Sequence, residues 1–287
     1  MIIVTGANGQ LGRAIVERLL ERVPAAQIGV SVRDLEKARV LEERGIRVRR
    51  GDFDDAASLS HAFAGASQVL IVSGAAIGET AVRQHRTAIE MAKAAGVRRI
   101  LYTSHMGANP ASPFHAMPDH AATEAMLQDS GVPFTALRNG FYAASAAMLL
   151  GTALETGELA LPEDGPVAWT AHADLAAVAA IALTKEGLEG VTPALTGSGA
   201  VDMAGVAAIA SELTGRPIRR VVLSDAEYRA GLIAHGLPEP VADMLLGLFV
   251  ASRQGEFAPA DPTLARLIGR PPTPLRDVLK AAISPAK

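Results

Sequence analysis

Cysteine is absent from all 287 residues. That excludes disulfides, thiolate nucleophiles and cysteine-based zinc sites. An excess of charge of either sign is missing too. With 27 Lys and Arg against 30 Asp and Glu, the formal net charge is −3, so neither nucleic acid nor an anionic membrane is an expected partner. Aromatic residues make up only 4% of the chain. The longest apolar run, Leu175 to Leu183, is alanine-rich and far short of a membrane span. A core strand starting at residue 2 leaves no room for a cleavable leader, and a cytoplasmic setting is the expectation. His105, His115 and His120 share one region, but no pair has the i, i+4 spacing of a helical metal site and no acid completes a set, so no metal is expected.

What is present is concentrated at the start. Ile2 to Thr5 reads as a short buried strand and runs into Gly6-Ala7-Asn8-Gly9-Gln10-Leu11-Gly12. A segment with apolar residues at helical spacing, Arg13 to Leu20, follows. Strand, glycine turn and helix in this order form a dinucleotide-binding fingerprint. One glycine permits the tight turn, one lets the backbone approach a pyrophosphate, and one lets helix and strand pack closely. The helix N-terminus would meet the phosphates with unpaired N–H groups and the positive end of its dipole. Gly6, Asn8, Gly9, Gln10, Leu11 and Gly12 are therefore candidate cofactor contacts. A plain structural turn is the alternative.

Strand-like and helix-like segments then alternate. Strands are expected at residues 27–32, 46–49, 68–72, 99–104 and 133–138, with helices between them. Asp119 is the expected N-cap of the helix after the fifth strand. Such alternation predicts an α/β fold, a Rossmann-type doubly wound parallel sheet that binds ligands at the carboxyl ends of its strands. Residues 1–150 are expected to form the NAD(P)-binding domain, with the sheet completed by residues 167–198, including a strand near 193–196. Residues 151–287 are expected to form a small, mostly helical substrate-side cap.

Strand ends supply the other candidates. An acid about 20 residues beyond the glycines marks the NAD-type ribose site, but here the second strand ends in Arg33. A guanidinium there suits a 2′-phosphate, with Lys37 adding charge. Asp34 beside it keeps NAD(H) open. Asp52 and Phe53 end the third strand near the expected adenine position, Asp52 having a helix cap as its plainer role. Ser73 and Gly74 end the fourth, and Asn139, Gly140, Phe141 and Tyr142 the sixth. Phe141 and Tyr142 either line a pocket or fill core.

Taken together, the TGANGQLG turn, Val32-Arg33, Gly51-Asp52-Phe53, Ala94-Ala95-Gly96-Val97, Tyr102-Thr103-Ser104, Leu137-Arg138-Asn139-Gly140-Phe141-Tyr142 and Gly269-Arg270-Pro271 resemble the reductase branch of the NmrA-like group of atypical short-chain dehydrogenase/reductases. The resemblance covers the whole chain. It implies NADP(H) on the glycine turn, Arg33 near the 2′-phosphate and the loop from Asn139 to Ala144 closing over the nicotinamide end. One departure from the wider superfamily matters. Its Tyr-x-x-x-Lys pair is vacant: Ala116 stands at the tyrosine place and His120 at the lysine place. Alcohol–ketone chemistry needs that proton transfer. A quinone, an azo dye or a triarylmethyl cation is already a strong hydride acceptor and mainly needs placement. The expectation is an NADPH-dependent reductase, monomer or homodimer, acting on such a small aromatic acceptor. Ser104, His120 and Tyr142 are candidates to contact the acceptor or supply a proton. A protein that senses the dinucleotide without turnover is the alternative.

Overall fold

The computed structural model describes residues 1–284. In chain order, the first half holds β1 (Ile2–Thr5), α1 (Gln10–Leu20), β2 (Ile28–Val32), α2 (Arg39–Glu43), β3 (Arg47–Arg50), α3 (Ala56–Phe63), β4 (Gln68–Ile71), α4 (Glu79–Ala94), β5 (Arg99–His105), α5 (Ala116–Asp129) and β6 (Phe134–Asn139). The second half holds α6 (Ala143–Leu150), α7 (Ala153–Thr156), β7 (Glu158–Pro162), α8 (His172–Thr184), β8 (Gly190–Val191), α9 (Met203–Thr214), β9 (Arg219–Leu223), α10 (Asp225–Ala234), α11 (Glu239–Arg253), α12 (Thr263–Ile268) and α13 (Leu275–Ile283).

Seven strands form one parallel sheet in the order β3-β2-β1-β4-β5-β6-β8. The doubly wound sheet expected from the alternation is present. Its central strands β1 and β4 read as apolar runs because helices cover both faces, while the edge strand β3, Arg47–Arg50, is polar and more exposed. Val4, Leu70, Leu101 and Leu137 face α1 and α8 in one core, while Ile3, Val69, Ile100 and Ala136 face α3, α4 and α5 in another. Gln68 is buried within β4, and its amide donates to the Leu183 carbonyl at 3.1 Å. Order reverses between β1 and β4, so the crevice at their carboxyl ends is where a ligand would sit.

Three details differ from expectation. The seventh strand lies at Gly190–Val191, and Leu195 makes only an isolated bridge to Asn139. Proline at 193 removes a ladder donor in the segment where a strand was expected. A second, two-stranded parallel sheet joins β7 to β9; its partners are about 60 residues apart, with no local signal linking them. Asp119 is not the cap of α5. The helix starts at Ala116, and Asp119 in its first turn accepts from the Gly78 amide across the start of α4 at 2.6 Å.

A third core gathers α6, α9, α11 and α13 with Phe141, Trp169 and Phe257. Among the described residues no helix is long and apolar enough to cross a membrane.

Candidate active site

A cavity of about 600 Å³ runs along the carboxyl ends of β2, β1 and β4 and reaches the start of α6 and α8. Its wall brings together twelve residues singled out from the sequence: Gly6, Asn8, Gly9, Gln10, Leu11, Gly12, Arg33, Asp52, Phe53, Ser73, Gly74 and Tyr142. Asn139, Gly140 and Phe141 are not in that wall. Asn139 and Gly140 are buried behind Tyr142, and Phe141 turns into the third core.

The glycine turn is explained by contacts. Gly6 has φ +64°, in the left-handed region, and its carbonyl accepts from the Gly9 amide at 2.9 Å. A Cβ on Gly12 would lie 2.3 Å from that same carbonyl, so only glycine lets α1 start against β1. No side chain caps α1 at Gly9, so its first-turn amides face the cavity without a protein partner among the described residues. An anion such as a pyrophosphate fits this cradle.

At the β2 end Arg33 is exposed in the wall and forms no ion pair among the described residues. Asp34 is otherwise occupied: its carboxylate accepts from the Lys37 amide at 3.3 Å and pairs with Lys37 Nζ at 3.3 Å. These bonds, the backbone one first, hold its pKa below the ordinary carboxylate value. The Asp34 carbonyl accepts from Asn8 Nδ2 at 2.8 Å, tying this loop to the glycine turn. The helix-cap alternative for Asp52 does not hold, because Asp55 caps α3 by accepting from the Ser58 amide at 3.0 Å. Ser31 in β2 also reaches the wall. Its hydroxyl is sealed off with no partner, packed against Gly51 so closely that a Cβ there would lie 2.0 Å from it.

The far end is built from side chains. Ser73 Oγ lies 3.3 Å from His85 Nε2, and His85 Nδ1 lies 2.9 Å from Thr123 Oγ1, whose hydroxyl donates to the Asp119 carbonyl at 2.7 Å. Thr123 can therefore only accept from His85, which puts the imidazole proton on Nδ1 and makes Nε2 the acceptor for Ser73. Burial pushes His85 down to about 4, so the ring is neutral. Ser73, which lines the cavity, thus spends its hydroxyl proton on His85 and is left to accept. Tyr142 packs against His172 with ring centroids 4.4 Å apart, and both line the wall. Burial raises the Tyr142 phenol, offset by the Asn139 side chain, and lowers His172. His172 was not foreseen; its signal was its place at the start of the helix that follows the irregular 167–171 segment.

Ser104 and His120 stand apart from this wall. Ser104 is 2% exposed, and its hydroxyl donates to Glu124 Oε1 at 2.6 Å. Glu124 also receives Arg138 through two bonds, at 2.9 and 2.7 Å. The expected contact between Ser104 and an acceptor gives way to this buried network, which fastens β5 and β6 to α5. His120 Nδ1 lies 2.6 Å from the Tyr102 hydroxyl. Burial first, then His105 and His85, hold its pKa well below the ordinary value.

A glycine cradle, a free guanidinium beside it and a polar far end at the sheet's switch point define a nicotinamide-dinucleotide-binding α/β protein. The family model for NAD(P)H-binding proteins matches residues 6–186, and the chain belongs to that family. It is 40% identical over 278 residues to quinone oxidoreductase 2 of Escherichia coli (strain K12), with 96% of each chain covered. The NADPH complex of that enzyme superposes with a TM-score of 0.93 over 99% of this chain and all of the other, at 38% identity. NAD(P)H azoreductase of Xenophilus azovorans is 31% identical, covering 98% of this chain and 97% of its own. Triphenylmethane reductase of Citrobacter sp., in complex with NADP(H), superposes with a TM-score of 0.90 at 35% identity, covering 99% and 100%. The resemblance drawn from the motifs holds along the whole chain.

Proposed function

We propose that this protein is an NADPH-dependent reductase that delivers hydride to a quinone, azo or triarylmethane acceptor. Relatives named for those three acceptor types support the reading. The observation that carries it is the absence of a tyrosine–lysine pair on α5. Ala116 has no proton to give, and His120 has one nitrogen engaged by Tyr102. An acceptor for this site must take a hydride without protein-driven protonation of an alcohol or ketone.

When bound, the dinucleotide supplies the hydride from its nicotinamide ring. The first-turn amides of α1 hold the pyrophosphate, and Arg33 grips the 2′-phosphate that separates NADPH from NADH. Asp52 and Phe53 would bracket the adenosine. Ser73, oriented by His85, accepts from a ribose hydroxyl, and Tyr142 with His172 closes the nicotinamide end. Asn139, Gly140 and Phe141 act from behind by fixing the loop that carries Tyr142. Residues 1–150, with the sheet completed by 167–198, serve as the binding domain, and residues 151–287 as the cap that encloses the acceptor.

The test follows NADPH and NADH oxidation with a panel of quinones, azo compounds and triarylmethane dyes, beside fluorescence titration of both cofactors. Turnover with NADPH favoured is the expected result. Tight binding with no turnover on any acceptor would replace the reductase by a dinucleotide sensor.

A further inference from the structure

The chain has eleven aromatic residues, seven Phe, three Tyr and one Trp, and four of them gather around one histidine. His105, the last residue of β5, meets the rings of Phe141 and Phe257 edge-on at 5.2 and 5.6 Å. Phe114 packs on both phenylalanines, and Trp169 packs on Phe141. The histidine stacks on His120 at 6.0 Å. Strand order puts β5 between β4, whose end carries Ser73, and β6, whose end leads to Tyr142. His105 therefore stands at the sheet's carboxyl edge, between the strands whose ends lead to Ser73 and Tyr142, and outside the cavity wall itself.

Its tautomer is fixed by the backbone. The Gly107 amide donates to His105 Nδ1 at 3.1 Å, so that nitrogen carries a lone pair and the proton sits on Nε2. Nε2 has no partner among the described residues, and it is not one of the sealed-off unpaired atoms, so it reaches open space. The packed rings beside it make the approach to Nε2 apolar, and one fixed N–H donor at such a place suits a flat ring bearing an oxygen.

The geometry points to His105 as a further catalytic residue: its Nε2–H hydrogen-bonds the carbonyl oxygen of a quinone-type acceptor and stabilises the negative charge that arrives with the hydride. The inference rests on the reductase reading above. The reduced nicotinamide would give up a hydride, hydrogen with both electrons of its C–H bond, to one carbonyl oxygen of the quinone, which becomes a hydroxyl. The other oxygen, the one that His105 holds, becomes a phenolate, which a solvent proton then neutralises to give the hydroquinone. His105 keeps its own proton and acts as a donor only. Burial pushes its pKa down to about 3, so the ring is neutral at working pH and does not compete for that proton. A neutral imidazole is a suitable electrophile for a developing oxyanion. A triarylmethyl cation lacks an oxygen at its reacting centre, and its charge is neutralised by hydride. The residue should therefore discriminate between acceptor classes.

The test measures kcat/KM of wild type, His105→Phe and His105→Gln with a benzoquinone and with a triarylmethane dye, alongside the Kd for NADPH as a folding control. The quinone-to-dye ratio should fall on the order of 10²-fold in His105→Phe, the loss typical of one oxyanion donor. Glutamine, which keeps an N–H donor, should recover part of it. A ratio unchanged in both variants overturns the inference. A second measurement needs no turnover. In wild type labelled with ¹⁵N-histidine, NMR should show His105 as the Nε2–H tautomer, and 4-nitrophenolate should shift that proton. Another tautomer, or no response to the phenolate, overturns the inference. If wild type reduces no acceptor, the reductase reading falls and the phenolate titration alone decides the role of His105.

Discussion

The two ends of the cavity are made of different material. One end is backbone: first-turn amides of α1, a carbonyl at Gly6 and glycines that keep side chains out of the way, all within residues 6–12. The other end is side chains drawn from distant segments: Ser73, held by the His85–Thr123 chain of bonds behind it, and Tyr142 on His172. A backbone site recognises what every dinucleotide shares, the phosphates. A side-chain site is free to vary with the acceptor. Changes at the first end should abolish binding of any dinucleotide, and changes at the second should alter what is reduced or how pH affects it.

The largest effect is expected at Gly12. In Gly12→Val the new Cβ meets the Gly6 carbonyl, and backbone has little room to yield. Overpacking of this kind costs about 1–3 kcal/mol of stability. Loss of two charge-assisted bonds to phosphate, each worth about 1.5–3 kcal/mol, weakens NADPH and NADH alike by more than about 10²-fold. Thermal denaturation and fluorescence titration read both. Near-normal binding by the variant would break the contrast between the two ends, because the backbone cradle would then not be the anchor.

The second effect separates the ends by pH. His85 ionises at about 4 in the folded protein, against about 6.5 in an unfolded chain. Between those values the unfolded state binds more protons, so stability rises with pH across the window and is lost as pH falls from 6.5 toward 4. The loss from this residue alone approaches about 3 kcal/mol. His105, His120 and His172 are lowered in the same direction and steepen the slope. Urea unfolding at pH 7 and pH 4.5 should show His85→Gln with a flatter dependence than wild type. Equal slopes would mean that His85 is not held neutral, and the orientation assigned to Ser73 would go with it.

This contrast also marks how far the sequence could be read. Residues 6–12 form a local pattern whose physics is complete within one turn, and all but Ala7 of that turn line the cavity. Arg33, Asp52 and Ser73 were reachable because a parallel sheet puts ligands at strand ends, whatever the side chain. The far end depends on which distant segments meet. Nothing near Phe257 says that it packs on His105, and nothing near Arg219 says that β9 joins β7. Ser104 shows the same limit from the other side. Its strand-end position was read well, but its partner Glu124 lies 20 residues on in α5 and takes the hydroxyl away from any ligand.

Arg33→Ala tests the side chain that stands beside the backbone end. With no ion partner among the described residues, Arg33 gives up little folding energy when removed. NADPH should bind about 10- to 50-fold more weakly, the equivalent of about 1.4–2.3 kcal/mol, with NADH changed less than about 2-fold. Equal weakening of the two cofactors would remove the 2′-phosphate from Arg33 and leave cofactor preference to Lys37 or to the Asn8–Asp34 bridge.

The smallest effect tests where the second end begins. Ser104→Ala removes one donor from Glu124, which keeps both bonds to Arg138. A loss of about 1 kcal/mol in stability is expected, with kcat for quinone and dye unchanged. The bond is sealed at 2% exposure, so the energetic signature belongs to folding and not to turnover. A fall in kcat at unchanged Tm would reverse that assignment. Ser104 would then have to leave Glu124 when the acceptor binds, and the reacting oxygen would lie one residue nearer the strand interior than His105.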